Sequence, residues 1–233
     1  MKNLILASSG SVHGSEYLEY LLPSIDKLYK GVEKVLFIPF AQPGGISYDA
    51  YTDQVQAAFN GLGIQVKGIH EYKNYQEAIQ QSQGIFVGGG NTFLLVSKLY
   101  EFKLWSFLKT AINEGIPYLG TSAGTNIVGL NMKTTNDMPI VLPPSFETLG
   151  IVPFNFNAHY IEPETNSKHK GETRATRIKE FQALNNVSVM GLREGSWLRI
   201  YGEDIFLRGG LPAVWFVDGT SRVVDANTDC KDL

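Results

Sequence analysis

The chain has 233 residues, 43% of them hydrophobic, with 20 basic and 23 acidic side chains and a formal net charge of −3. That is enough apolar material to bury a substantial core in one domain spanning 1–233, and the near balance of charge gives no electrostatic reason to expect nucleic acid or an acidic membrane as partner. The single cysteine, Cys230, excludes an intrachain disulfide framework and a cysteine-based metal cage, and it points to a reducing compartment.

Met1-Lys2-Asn3-Leu4-Ile5-Leu6-Ala7 turns polar too soon to be the core of a signal peptide, and it reads as a first strand. No stretch approaches the ~18 to 20 apolar residues of a spanning helix, so a cytoplasmic protein is expected. Ser15 is placed to cap a helix whose apolar face is Leu18, Leu21, Leu22, Ile25 and Leu28, with Pro23 kinking or shortening it. Val35–Phe40 has the continuous apolar character of a strand buried on both faces, and a helix follows over Tyr48–Phe59.

Strand and helix then alternate. Ile64–Ile69 reads as a strand, Tyr75–Gln81 as a helix and Gly84–Val87 as a strand that ends in Gly88-Gly89-Gly90-Asn91-Thr92. Helical patterns over Phe93–Tyr100 and Leu104–Asn113 lead to the apolar run Ile116–Leu119, which enters Gly120-Thr121-Ser122-Ala123-Gly124. This alternation predicts an α/β fold, a doubly wound, mostly parallel sheet with helices on both faces. Beyond Ser122 the pattern changes. A strand over Phe154–Tyr160, a helix over Thr173–Leu184 and a strand over Val187–Leu192 precede short strands at Trp197–Tyr201, Asp204–Leu207, Ala213–Val217 and Arg222–Val224. Turns at Gly202-Glu203 and Asp218-Gly219 make this end a C-terminal antiparallel extension on one edge.

In an open α/β sheet, ligands bind beyond the carboxyl ends of the strands, so polar residues just past each strand are the ones to weigh. Gly120-Thr121-Ser122-Ala123-Gly124 is a GxSxG turn, whose small residues let the chain reverse sharply while a serine hydroxyl is held up at the sheet end. Of the four histidines, His159 ends a strand and is the candidate base, whereas His13, His70 and His169 read as satisfied structural residues. Glu194 stands two residues past a strand and suits the acid that orients the base. Asp137, in the loop after the serine helix, is the second candidate, as that acid or as a brace for the loop.

The run Gly88-Gly89-Gly90 leaves amides free to hold an anion. No GxGxxG or P-loop motif supports a nucleotide, so the expected use is an oxyanion hole formed by the loop amides of Gly88 and Gly89 with that of Ala123. Arg174 and Arg177 share a helix face, and only Arg174, at the helix start, is placed to offer a planar fork to a carboxylate. No feature calls for a metal or an organic cofactor.

Phe37-Ile38-Pro39-Phe40, Val87-Gly88-Gly89-Gly90-Asn91-Thr92-Phe93, Gly120-Thr121-Ser122-Ala123-Gly124, Thr134-Thr135-Asn136-Asp137-Met138-Pro139, His169-Lys170-Gly171-Glu172-Thr173-Arg174 and Glu194-Gly195, in this order, resemble peptidase E, the α-aspartyl dipeptidase family of serine peptidases. The resemblance implies a fold similar to the class I glutamine amidotransferases and hydrolysis of dipeptides that carry an N-terminal aspartate. It implies Ser122 as nucleophile, His159 as base, the Gly88–Gly90 loop with Ala123 as oxyanion hole, and either Asp137 or Glu194 as third member. It also gives Arg174 a substrate carboxylate to hold. Thr121 departs from the tryptophan expected there and matches the form seen in cyanophycinases. The alternatives are therefore a cyanophycinase-like peptidase acting on β-aspartyl peptides and a non-catalytic anion-binding homologue. The partner implied is a small peptide, and a homodimer is compatible with this reading.

Overall fold

The computed structural model describes residues 1–162 and 171–230. Five strands lie parallel in one sheet: β1 (Asn3–Ala7), β2 (Lys34–Ile38), β3 (Gln65–Gly68), β4 (Ile85–Val87) and β5 (Tyr118–Thr121). Two antiparallel strands, β8 (Ser196–Tyr201) and β9 (Asp204–Gly209), extend it beyond β1 to give the order β3-β2-β4-β5-β1-β8-β9.

Helices cover both faces, which is why the central strands read as unbroken apolar runs. Alternate side chains separate cleanly, as the period of two demands. Ile5, Val35, Phe37, Phe86 and Leu119 pack with α1 (Leu22–Leu28) and α2 (Tyr48–Phe59). Leu4, Leu6, Leu36, Ile38, Ile85 and Val87 pack on the other side with α3 (Tyr75–Gln80), α4 (Thr92–Glu101) and α5 (Trp105–Glu114).

The first helix differs from the sequence expectation. Leu18 takes φ 62, a 3-10 turn covers Glu19–Leu21, and α1 starts only at Leu22. Pro23 falls in the first helical turn, where its missing N–H would have had no partner anyway, so it starts the helix and does not kink it. Ser15 closes a local turn by accepting from the Val12 amide at 3.3 Å, and caps no helix.

The C-terminal half corrects the picture of a single extended edge. Only β8 and β9 add to the main sheet; β6 (Asn155–Ala158), β7 (Val189–Leu192), β10 (Ala213–Val217) and β11 (Thr220–Val224) form a separate four-stranded sheet in the order β11-β10-β7-β6. Its inner residues Phe156, Met190 and Trp215 join the same core as Leu4 and Leu6, so the two sheets share one apolar layer. Both expected hairpin turns are present, and α7 (Arg174–Leu184) flanks the second sheet. Among the described residues no helix is long and apolar enough to cross a membrane.

Candidate active site

The two sheets meet at the residue after β1. Ser8 is fully buried; its Oγ donates to the Leu192 carbonyl at the end of β7 (2.8 Å) and accepts from the His159 amide just past β6 (2.8 Å). Its own amide donates to the Ser196 carbonyl at 3.1 Å. One small hydroxyl thus fixes the ends of β1, β6 and β7 relative to one another.

Ser122 links β5 to the short helix α6 (Ala123–Asn126) and takes φ 52, ψ −110, a conformation that L-residues avoid at a cost of about 1–3 kcal/mol. The surroundings enforce it. The Ser122 amide donates to the Ala7 carbonyl at 3.0 Å, and Thr125 Oγ1 donates to the Ala7 and Gly120 carbonyls at 2.7 and 2.9 Å. A Cβ added at Gly120 would stand 2.5 Å from the Gly124 carbonyl oxygen, and one at Gly124 would stand 2.1 Å from that of Val87, so the tight turn requires both glycines. A serine preceding a helix usually accepts a bond from the helix amides. Ser122 makes no such cap bond, and its hydroxyl is directed to His159.

His159 Nε2 lies 2.9 Å from Ser122 Oγ, and Nδ1 lies 2.8 Å from Glu194 Oε1. A carboxylate only accepts, so the neutral imidazole carries its proton on Nδ1 and offers Nε2 as acceptor to the serine hydroxyl. His159 also has a positive φ, 56°, and the Ser8 bond to its amide holds that backbone in place. Glu194 reaches it from the turn after β7.

Asp137 lies elsewhere. Its Oδ2 accepts from the Thr92 amide at 2.7 Å and from Thr135 Oγ1 at 3.0 Å, so the carboxylate sits at the N-terminal end of α4 and ties the loop to that helix. Asn91 Nδ2 adds a bond to the Met138 carbonyl at 2.9 Å. These contacts brace the loop against α4.

In the glycine loop, the Gly88 amide donates to the Ile38 carbonyl at 3.2 Å and the Gly89 amide to the Tyr51 hydroxyl at 3.0 Å. Neither amide is open to an oxyanion in this arrangement, which corrects the expected donor set. Among the described residues, the amides of Gly90 and Ala123 have no hydrogen-bond partner. The loop lies against the serine: a Cβ on Gly89 would come within 3.1 Å of Ser122 Cβ.

Arg174 begins α7, and its Nη1 is buried without a hydrogen-bond partner among the described residues. Burial pulls the guanidinium below its usual range, while the nearby Glu194 carboxylate acts in the opposite sense. Arg177 points to solvent and pairs with Glu172 at 3.5 Å, as a surface residue would. His70 pairs with Asp49 at 2.8 Å, away from these groups; His169 lies outside the described residues. No group of three His, Cys, Asp or Glu among the described residues is arranged to hold a metal ion.

Two residues at this site were missed in the sequence. Ser8 had a usable signal, because it is a polar residue directly after a strand. Tyr51 had none, since it occupies an ordinary apolar position of α2.

The sequence profile of peptidase family S51 matches residues 4–208. The chain is 44% identical over 232 residues to "Peptidase E" of Streptomyces coelicolor, covering 99% of this chain and 94% of that one. It is 45% identical over 218 residues to "Probable alpha-aspartyl dipeptidase" of Drosophila melanogaster, covering 92% and 90%. The crystal structure of a peptidase from an acI-B1 actinobacterium superposes with a TM-score of 0.73 at 17% identity, over 98% of this chain and 96% of that one, and speaks for the fold alone. With the profile spanning nearly all of the sequence and full-length relatives above 40% identity, the chain belongs to peptidase family S51.

Proposed function

We propose that the chain is a serine exopeptidase that hydrolyses the bond after an N-terminal aspartate in small peptides. The observation that carries this reading is the continuous row of hydrogen bonds from Ser122 Oγ through His159 to Glu194, mounted on a strained strand-to-helix turn. His159 Nε2 takes the hydroxyl proton as Ser122 Oγ bonds to the aspartyl carbonyl carbon, and the C=O electron pair moves onto oxygen. The imidazolium then gives that proton to the departing amine nitrogen as the C–N bond breaks, leaving an ester on Ser122. Water attacks the ester with its proton passing to the same nitrogen, and Ser122 leaves as the hydroxyl is restored.

Glu194 holds the tautomer and stabilises the imidazolium formed twice per cycle. The unengaged amides of Ala123 and Gly90 supply donors for the tetrahedral oxygen. Arg174, half-buried and with an Nη1 that has no partner among the described residues, receives the β-carboxylate of the aspartyl residue. The D. melanogaster relative, a "Probable alpha-aspartyl dipeptidase", supports this over the β-aspartyl reading. A reducing cytoplasmic setting suits Cys230, which is buried as a free thiol.

Initial rates on Asp-Leu, Ala-Leu and β-Asp-Leu test the assignment. The wild type should prefer Asp-Leu, and Ser122→Ala should lose at least about 10³-fold in kcat. Arg174→Ala should lose about 30-fold or more on Asp-Leu while Ala-Leu changes little, because only the aspartyl substrate brings a charge to be paired. Wild-type turnover in Ser122→Ala would falsify the acyl-enzyme route, and faster cleavage of β-Asp-Leu would transfer the assignment to the β-aspartyl class.

A further inference from the structure

We infer that Tyr51 is a positioning residue for the proposed reaction: its hydroxyl, from behind the glycine loop, sets the Gly89–Gly90 peptide so that the Gly90 amide faces the oxygen that develops on the substrate carbonyl. The inference rests on the acyl-transfer reading above.

Tyr51 comes from α2, is 5% exposed, and is wedged edge-on against Phe37 with ring centroids 4.9 Å apart and planes at 89°. Its hydroxyl accepts from the Gly89 amide at 3.0 Å and stands 3.4 Å from the Gly89 carbonyl oxygen and 3.2 Å from the Tyr17 hydroxyl. One proton arrangement satisfies every group: Tyr17 donates to Tyr51, Tyr51 donates to the Gly89 carbonyl, and the Gly89 N–H donates back to Tyr51. Gln42 Nε2 gives the same carbonyl a second donor at 3.0 Å. Burial raises the pKa of both tyrosines, so both remain protonated through the neutral range.

The consequence follows from the planar trans peptide. No peptide bond among the described residues is cis, so the carbonyl of Gly89 and the N–H of Gly90 point in opposite directions. Pinning that carbonyl toward Tyr51 and Gln42 aims the Gly90 N–H at the opposite flank of the loop. Ser122 lies against this loop, within 3.1 Å of a Cβ built on Gly89, and Gly90 has no room for a side chain, because the Ala41 carbonyl oxygen would lie 2.3 Å from its Cβ. A peptide between two glycines flips easily, because neither residue has a Cβ to resist the new φ and ψ. At Gly90, with φ 138, the conformation is one that other residues rarely adopt. The hydroxyl of Tyr51 and the amide of Gln42 are therefore the groups that oppose a flip which would turn the donor out of the site.

The test is Tyr51→Phe, which keeps the ring and removes the hydroxyl. Three quantities are read: kcat and KM on Asp-Leu, and inhibition by the boronic-acid analogue of aspartate, whose boron becomes tetrahedral when bound by a serine oxygen. The expected result is a kcat lower by about 10- to 100-fold, KM within about twofold, and boronate affinity weakened by the same factor as kcat. Should Tyr51→Phe fail to fold, Gln42→Ala removes the other anchor, and a parallel loss of about three- to tenfold in kcat and boronate affinity is expected. Values of kcat and boronate affinity like those of wild type overturn the inference, and so does a fall in kcat with boronate affinity unchanged. Ser122→Ala, run beside these, separates the two levels. If it is inactive while Tyr51→Phe matches wild type, only the positioning role falls; if it retains turnover, the acyl-enzyme reading falls first.

Discussion

Ser122 stands on a turn whose neighbours Thr121, Ala123, Gly124 and Thr125 are all buried, whereas the side chains of His159 and Glu194 are 37% and 53% exposed. On the serine side, geometry is enforced by contact. The two glycines admit no side chain, and the Ala7 carbonyl receives both the Ser122 amide and Thr125 Oγ1. On the histidine side it is enforced by a few directed hydrogen bonds in wetter surroundings, from Ser8 to the His159 backbone and from Glu194 to its ring. The difference is physically sensible. A nucleophile must approach the carbonyl within a narrow range of positions, while a base must also turn between its proton donor and the leaving group.

That contrast can be broken from either side, and the largest effect is expected on the exposed one. Glu194→Gln preserves shape but removes the charge that orients and stabilises the imidazolium, so kcat should fall by about 10²-fold with little change in unfolding midpoint. An exposed ion pair contributes little to stability, which is why the two readouts should separate. On the packed side the expectation reverses. Gly124→Ala places a Cβ 2.1 Å from the Val87 carbonyl oxygen, a backbone atom that cannot step aside. It should cost about 3 kcal/mol in urea unfolding and lose activity through the displaced turn.

Asp137→Asn supplies the smallest and sharpest comparison, because this acid braces α4 and does not touch His159's row. It should lose about 1 kcal/mol of stability, and kcat should drop less than about fivefold. A loss in Asp137→Asn as deep as in Glu194→Gln would exchange the roles of the two acids.

Much of the site was legible because its chemistry is local. The GxSxG turn declares itself through small residues at fixed spacing, and the place of Ser122 after a strand follows from that spacing alone. His159 and Glu194 were recognisable as polar residues just past strands, although nothing in the sequence says that strands 155–158 and 189–192 leave the main sheet. The glycine loop was readable as a candidate anion cradle, but the amides that stay free were not. Which amide is free depends on what the others meet: the Ile38 carbonyl in a neighbouring strand and the Tyr51 hydroxyl in a helix 38 residues away. Pro23 was misread because its effect depends on where the helix begins, and a buried Leu18 with φ 62 delays that beginning.

By itself the sequence determined the layered α/β class, through apolar runs at strand and helix periods, and the strained serine turn, through glycines that only a close backbone approach requires. The meeting of Glu194, and not Asp137, with the His159 ring, the joining of two sheets through Ser8, and the contact of Tyr51 with the Gly89 peptide come from the tertiary structure. Each of these depends on a hydrogen bond between residues 35 to 151 positions apart, and a directed bond of about 3 Å exists only after packing has fixed both partners.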